Sequence, residues 1–332
     1  MHIIEQGRHF VTSRHFLLTA AALVAALPSA VQAQNFPSRQ VRFILPFPPG
    51  GPTDMLGRAL AQKLAEQMGQ PVIADNRPGA GGNLGLELGA KAPPDGHTVV
   101  LSSPLVSISP SLYAKLNYDP ERDLAPVSLV AYIQNVIIVH PSVPARTLSE
   151  LIAIARRNPG KLNFGSGGIG TTSHLAPALL LSLANIDMTH VPYKGTGVAL
   201  GAMLGGEIDM LVMAVPAAAA QIQAGKARPL AVLSDKRQPV LPQVPTAKEA
   251  GMANYEVPIW YGILTSAGTP PNLVGRLNAE IGKALASADL KERLTTAGIE
   301  PRSTSPEQFS AHIKSEKVRF AKVIQDAGIK PQ

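Results

Sequence analysis

No cysteine occurs in the sequence, which excludes disulfides, thiolate metal sites and a lipid-modified cysteine anchor. Aromatic residues are scarce at 5%, with a single tryptophan, Trp260, and charged residues reach only 16%. The formal charge of +7 is scattered in single residues rather than clustered beside aromatics, so the footprint of a nucleic-acid binder is missing. Catalytic signatures are missing too: there is no Gly-x-Ser-x-Gly elbow, no phosphate loop ending in Gly-Lys-Ser/Thr and no His-Glu-x-x-His. His174 has no second ligand one helical turn on, and no metal or cofactor is expected. Beyond the N-terminus no apolar run is long enough to span a bilayer.

The N-terminus itself reads as an export signal. Arg8 and Arg14 precede an apolar run from Phe16 to Leu27, Pro28 breaks it, and Val31-Gln32-Ala33 offers small residues to a signal peptidase. Cleavage near Ala33 is expected, with the mature protein in the periplasm. Removing residues 1–33 leaves 299 of the 332, enough for one large domain or two of ordinary size.

Glycine and proline, by contrast, are plentiful, at 29 and 30 residues. They punctuate an alternation of short apolar strands and helical stretches that predicts an α/β protein with mainly parallel sheets. Val41–Leu45 reads as a strand, followed by a turn and a helix on which Leu56, Leu60 and Leu64 recur at helical spacing. Thr53 and Asp54 are expected to cap that helix, and Gly69 to close it. The layout of strand, glycine-rich loop and capped helix returns at Leu162–Leu183. Val136–Val139 and Ile259–Leu264 are candidate crossings between two halves, and the helical C-terminal quarter then rejoins the first half.

Two loops stand out. Gly50-Gly51-Pro52-Thr53-Asp54 and Gly165 through Thr172 each open a helix, where unpaired N–H groups and the helix dipole favour an anion. Facing one another across a cleft, they would grip a carboxylate from both sides. The second loop also fits the dinucleotide pattern Gly-x-Gly-x-x-Gly at Gly165–Gly170, with Asp187 beyond it. Its mid-chain position and the export signal weigh against a dinucleotide. Asp54 is expected to be structural, and Trp260 suits core packing or ligand stacking equally.

The run Phe43 through Asp54 resembles the opening of the Bug, or TctC-like, receptors of tripartite tricarboxylate transporters. So, in order, do Gly69-Gln70-Pro71-Val72, Asn76 through Gly82, Pro94-Asp95-Gly96, His190 through Gly195 and Val244-Pro245-Thr246. The resemblance implies a two-lobed, type II periplasmic-binding-protein fold (a Venus flytrap) hinged by two crossing strands, without catalysis. It implies one lobe from residues 34–135 plus 259–332 and another from 136–258. Carried over by position, Phe47, Gly51, Thr53 and Asp54 form one wall; Ser166, Gly168, Thr171, Thr172 and His174 form the other. Ser102, Ser103, Tyr193, Gly195 and Thr196 are assigned to the distal half of the ligand. Pro52 stands where the family pattern often has glycine, which removes one N–H donor. The implied partners are a small carboxylate and the membrane subunits of a transporter, and the receptor is expected to be monomeric. A periplasmic sensor would share these features. No cluster of arginines marks the proposed cleft, which points to a mono- or dicarboxylate rather than a tricarboxylate.

Overall fold

A computed structural model describes residues 36–331; the expected signal segment, 1–33, lies outside the described residues. The chain opens with β1 (Val41–Leu45), α1 (Pro52–Met68), β2 (Val72–Asn76), α2 (Asn83–Ala90), β3 (Thr98–Ser102), α3 (Leu105–Leu112) and the long β4 (Leu124–Ile133). It continues through β5 (Asn135–Val139), α4 (Leu148–Arg157), β6 (Asn163–Ser166), α5 (Thr172–Ala184), β7 (Thr189–Pro192), α6 (Thr196–Leu204), β8 (Met210–Ala214), α7 (Val215–Gln223) and β9 (Arg228–Val232). The last stretch is β10 (Ile259–Ser266), α8 (Pro271–Ala286), α9 (Ala288–Thr296), β11 (Ile299–Pro301) and α10 (Pro306–Asp326).

The strands form two sheets, in the orders β11-β4-β10-β3-β1-β2 and β7-β6-β8-β5-β9. The expectation of mainly parallel sheets is corrected: both are mixed. β1 is parallel to β2 and β3, and β6 to β7 and β8, but β10 runs antiparallel to β3 and β4, and β5 antiparallel to β8 and β9. The cause is the passage between sheets. β4 continues through Gln134 directly into β5 of the second sheet, and β10 enters the first sheet from the second, so neither β5 nor β10 is reached through a crossover helix. The chain returns just ahead of Ile259, after Val257. Asn135 Nδ2 donates to the Val257 carbonyl at 2.7 Å, which ties the two passages side by side. Val136–Val139 and Ile259–Leu264 are thus the strands that follow each passage.

Helices cover both faces of each sheet, which explains why strands such as Val41–Leu45 are near-continuously apolar. Phe43 and Leu45 pack with Leu56 and Leu60 of α1 and with Leu277 and Ile281 of α8, while Ile44 faces Leu86, Trp260 and Phe309 on the other side. In the second sheet Ile137, Phe164 and Val212 pack under α4 and α5, and Val136, Ile138 and Leu211 under α6 and α7. Trp260 is fully buried, edge-on to Phe309, with its indole N–H donated to Glu316 at 3.2 Å. The two-residue period of β10 sends Trp260 into this core and its neighbours Ile259 and Tyr261 to the opposite side. A fifth apolar cluster joins the two lobes: Ile108 and Leu112 of α3, Leu175 of α5, and Phe320 and Ile324 of α10.

Candidate functional site

The helices that follow parallel strands begin at the carboxyl ends of those strands, the place where open α/β sheets bind ligands. α1 follows β1, and α5 follows β6. Between the sheets lies a cavity of about 400 Å³ onto which both helix starts open. Among the expected residues, Phe47, Thr53, Ser103, Thr171, Thr172 and Thr196 line it.

The first loop is fixed from behind. α1 is capped by Gly51, not by Thr53 or Asp54 as expected, and Pro52 occupies its first turn, where proline's missing N–H costs nothing. Asp54 sits inside that turn and reaches back. Its Oδ2 accepts the Gly50 N–H at 3.1 Å, and its Oδ1 accepts from Arg58 and Asn76, each at 2.9 Å. Asn76 also donates to the Phe47 carbonyl at 3.0 Å. Burial works to raise the Asp54 pKa, but the hydrogen bonds from Arg58, Asn76 and Gly50 outweigh it and hold the carboxyl below its ordinary value. Its charge is thus satisfied away from the cavity, which it does not line. Thr53 points inward and donates to the Tyr261 hydroxyl at 3.2 Å. Burial raises the Tyr261 pKa, so this phenol stays protonated and keeps its own O–H as a donor.

The second loop is fixed by side chains. The Gly167 N–H donates to Ser173 at 2.9 Å, the Gly168 N–H to Ser166 at 3.1 Å, and the Gly170 N–H to His174 Nδ1 at 3.1 Å. Thr171 caps α5 by position, but its hydroxyl donates to the Gly168 carbonyl at 2.7 Å. The amides that a dinucleotide-type loop would offer to a pyrophosphate are therefore largely committed. Ser166, Gly168 and His174 brace the loop and do not line the cavity. His174 stacks on His190 at 4.0 Å between ring centroids, and His190 Nε2 lies 2.7 Å from the Ser166 hydroxyl. Burial, joined for His174 by the neighbouring His190, lowers both pKa values to about 4 and keeps both rings neutral. Gly195 caps α6 with φ of 112° and donates to the Gly167 carbonyl at 3.1 Å; the Tyr193 N–H binds the Ser166 carbonyl at 2.9 Å. Gly51 and Ser102 also lie behind the surface of the cavity, the Ser102 hydroxyl donating to the next carbonyl at 3.2 Å.

Backbone donors at both helix starts remain unpaired. Among the described residues, the N–H groups of Thr53 and Asp54 at the start of α1, and of Thr172 and Ser173 at the start of α5, have no protein partner. The residues not anticipated from sequence are mostly apolar: Leu105, Ile108 and Leu112 of α3, Leu200 of α6, Met213 of β8 and Ile259 of β10. The spacing of Leu105, Ile108 and Leu112 carried a helical signal that marks one face. No residue lining the cavity is charged. Among the described residues no group of three or more His, Asp or Glu side chains is arranged to hold a metal, and no helix is long and apolar enough to cross a membrane.

Residues 56–329 match the tripartite tricarboxylate transporter family receptor, TctC. A protein from the tcbD-tcbE intergenic region of Pseudomonas sp. (strain P51) is 41% identical over 306 residues, covering 92% of this chain and 91% of that one. Protein BugT of Bordetella pertussis is 35% identical, covering 92% of this chain and 94% of its own. Among solved structures, R. palustris Rpa4515 with adipate is 36% identical with a TM-score of 0.81, over 90% of this chain and all of that one. MatC from Rhodopseudomonas palustris with bound malate is 33% identical with a TM-score of 0.76, over 87% of this chain and all of that one.

Proposed function

Because the chain belongs to the tripartite tricarboxylate transporter receptor family, a family of solute-binding proteins and not of enzymes, we propose that it captures a small carboxylate between its lobes and delivers it to a membrane transporter of that type. One observation carries this reading. Two helix starts, on different sheets, open onto one cavity, and the first turns of these helices hold four unpartnered N–H groups, three of them on residues that line it. A carboxylate has two oxygens with about four lone-pair positions, and helix N-termini supply donors with a favourable dipole. The Thr172 hydroxyl and the protonated Tyr261 add neutral donors. The relatives named with adipate and with malate support the class of ligand.

On this reading, residues 34–135 with 259–332 form one lobe and 136–258 the other, and the mature, monomeric receptor works in the periplasm after cleavage near Ala33. A ligand touching both loops favours the closed arrangement by its differential affinity for it. Native mass spectrometry of the protein purified without added ligand identifies whatever acid it carries. Thermal denaturation with a panel of acids, sugars and neutral amino acids then tests the class, with stabilisation of about 2.7 kcal/mol at a hundredfold excess over Kd. Stabilisation by sugars or neutral amino acids, with none by any carboxylate, overturns the proposal.

A further inference from the structure

We infer that the captured acid carries a hydroxyl group on its body and that Asn135 Oδ1 accepts the hydrogen of that hydroxyl; this rests on the carboxylate reading above and sharpens it. Most side-chain and helix-start groups around the cavity can donate. Besides the starts of α1 and α5, the N–H groups of Thr196 and Gly197 at the start of α6 have no protein partner among the described residues. The Ser103 and Tyr113 hydroxyls line the cavity as well, and a hydroxyl donates or accepts as a ligand requires. These groups suit the oxygens of one carboxylate or of two, which need donors and nothing else.

Asn135 is the exception. It is the first residue of β5, only 1% exposed, and it lines the cavity beside the passage between sheets. The Val257 carbonyl, which can only accept, takes the Nδ2 hydrogen bond and so fixes which way the amide is turned. Oδ1 is left without a partner among the described residues. It differs from the neighbouring Gln134 Oε1, which is also unpartnered but sealed within the protein. Of the side-chain oxygens that line the cavity, Oδ1 is the one that cannot donate, since the others all belong to hydroxyls. A carboxylate oxygen is repelled there. A ligand that dries the cavity without offering a donor leaves Oδ1 buried and unsatisfied, and so binds less well than one that offers it. A hydroxyl supplies that donor without charge. An ammonium on the ligand would be stripped of water with no anionic side chain to meet it, because no residue lining the cavity is charged.

The test is isothermal titration calorimetry of the full mature protein, freed of any bound acid by unfolding and refolding. The probes are matched pairs that differ by one hydroxyl: succinate with malate, glutarate with 2-hydroxyglutarate, hexanoate with 6-hydroxyhexanoate, and benzoate with its 3- and 4-hydroxy derivatives. Aspartate serves as the amino counterpart of malate. In the pair that holds the tightest binder, the hydroxy acid is expected to bind about tenfold or more tightly than its parent. A parent acid that equals its hydroxy derivative, or an aspartate that outbinds malate, overturns the inference and leaves the carboxylate reading standing. Silence from every acid, with a sugar or neutral amino acid bound, overturns both. The acid that co-purifies with the protein gives an independent answer, since one without a hydroxyl also overturns the inference. A second arm uses Asn135→Ala. Both affinities of the best pair fall with the loss of the tie to Val257, but their ratio should collapse to within about threefold of one. A ratio kept at the wild-type value overturns the assignment to Asn135. Where the variant does not fold, the wild-type pairs decide the matter alone.

Discussion

Asp54 shows how a carboxylate can brace the wall of a cavity proposed to bind carboxylates. Its partner Arg58 has a side chain half exposed, so the ion pair itself contributes only about 0–1 kcal/mol. The bonds to the Gly50 N–H and to Asn76 matter more, because they set the loop that carries Thr53. Asp54→Ala is expected to cost about 1–2 kcal/mol in urea denaturation and to weaken carboxylate binding more than tenfold. A variant with wild-type affinity would show that the loop holds itself. The stacked histidines give a pH dependence of known sign. With folded pKa values near 4 against about 6.5 unfolded, their contribution is complete above pH 6.5 and is lost as pH falls toward 4, because the unfolded chain takes up protons first. For buried His174 this amounts to roughly 2–3 kcal/mol. The melting temperature should therefore decline across that window. His174→Asn keeps an acceptor near the position of Nδ1 for the Gly170 N–H and removes the titration, so its profile should be flatter; an identical slope would place the pH dependence elsewhere.

The helix starts do not stand alone, since α6 seats its first turn directly on the second loop. A Cβ added at Gly167 would lie 2.6 Å from the Thr196 Oγ1 and 2.7 Å from its backbone nitrogen, and backbone cannot yield as a side-chain tip can. Gly167→Ala is expected to destabilise by about 1–3 kcal/mol and to weaken carboxylate binding in calorimetry, while circular dichroism shows the helices retained. Unchanged stability and affinity would mean that loop and helix separate at no cost. How much of this was readable follows from which elements obey local rules. β1 with α1, and β6 with α5, declared themselves by a strand period, a glycine turn and a 3.6-residue stripe. β4 did not, because apolar residues run on both sides of Gln134 and nothing in the sequence says where one sheet ends. α3 is not legible for a different reason: serines and Pro110 interrupt its eight residues, and it packs against α10. The cap falls at Gly51, although Thr53 and Asp54 favour caps by type, because Pro52 suits the first helical position and moves the helix start ahead of them. Of the expected site residues, the hydroxyl and aromatic groups at helix starts reached the cavity. Those that merely brace a loop, such as Ser166 and His174, could not be told apart from them without the fold.

Capture by two lobes requires that they meet without obstruction, and one contact decides how closely. Gly170 of the second loop, with φ of 78°, lies against Leu112 of α3, and a Cβ there would fall 1.8 Å from the Leu112 Cδ2. The same region holds the cluster of Ile108, Leu112, Leu175, Phe320 and Ile324, so α10 packs at once on a helix of each lobe. On the proposed capture between lobes, this contact is an apolar seal that a single methyl group would prop apart. Gly170→Ala adds two effects, the methyl clash and backbone strain at a positive φ. Shortening the opposing side chain separates them. In small-angle scattering the wild type should contract on adding a saturating carboxylate, and Gly170→Ala should contract less, with affinity reduced tenfold or more. Gly170→Ala combined with Leu112→Ala restores the space but keeps the strain, so it should recover most of the contraction if sterics dominate. The coupling between the two sites, read from the double-mutant cycle, should then be at least about 1 kcal/mol in binding. Additive losses would mean instead that the glycine is required for its backbone conformation alone, and that the lobes close without this contact.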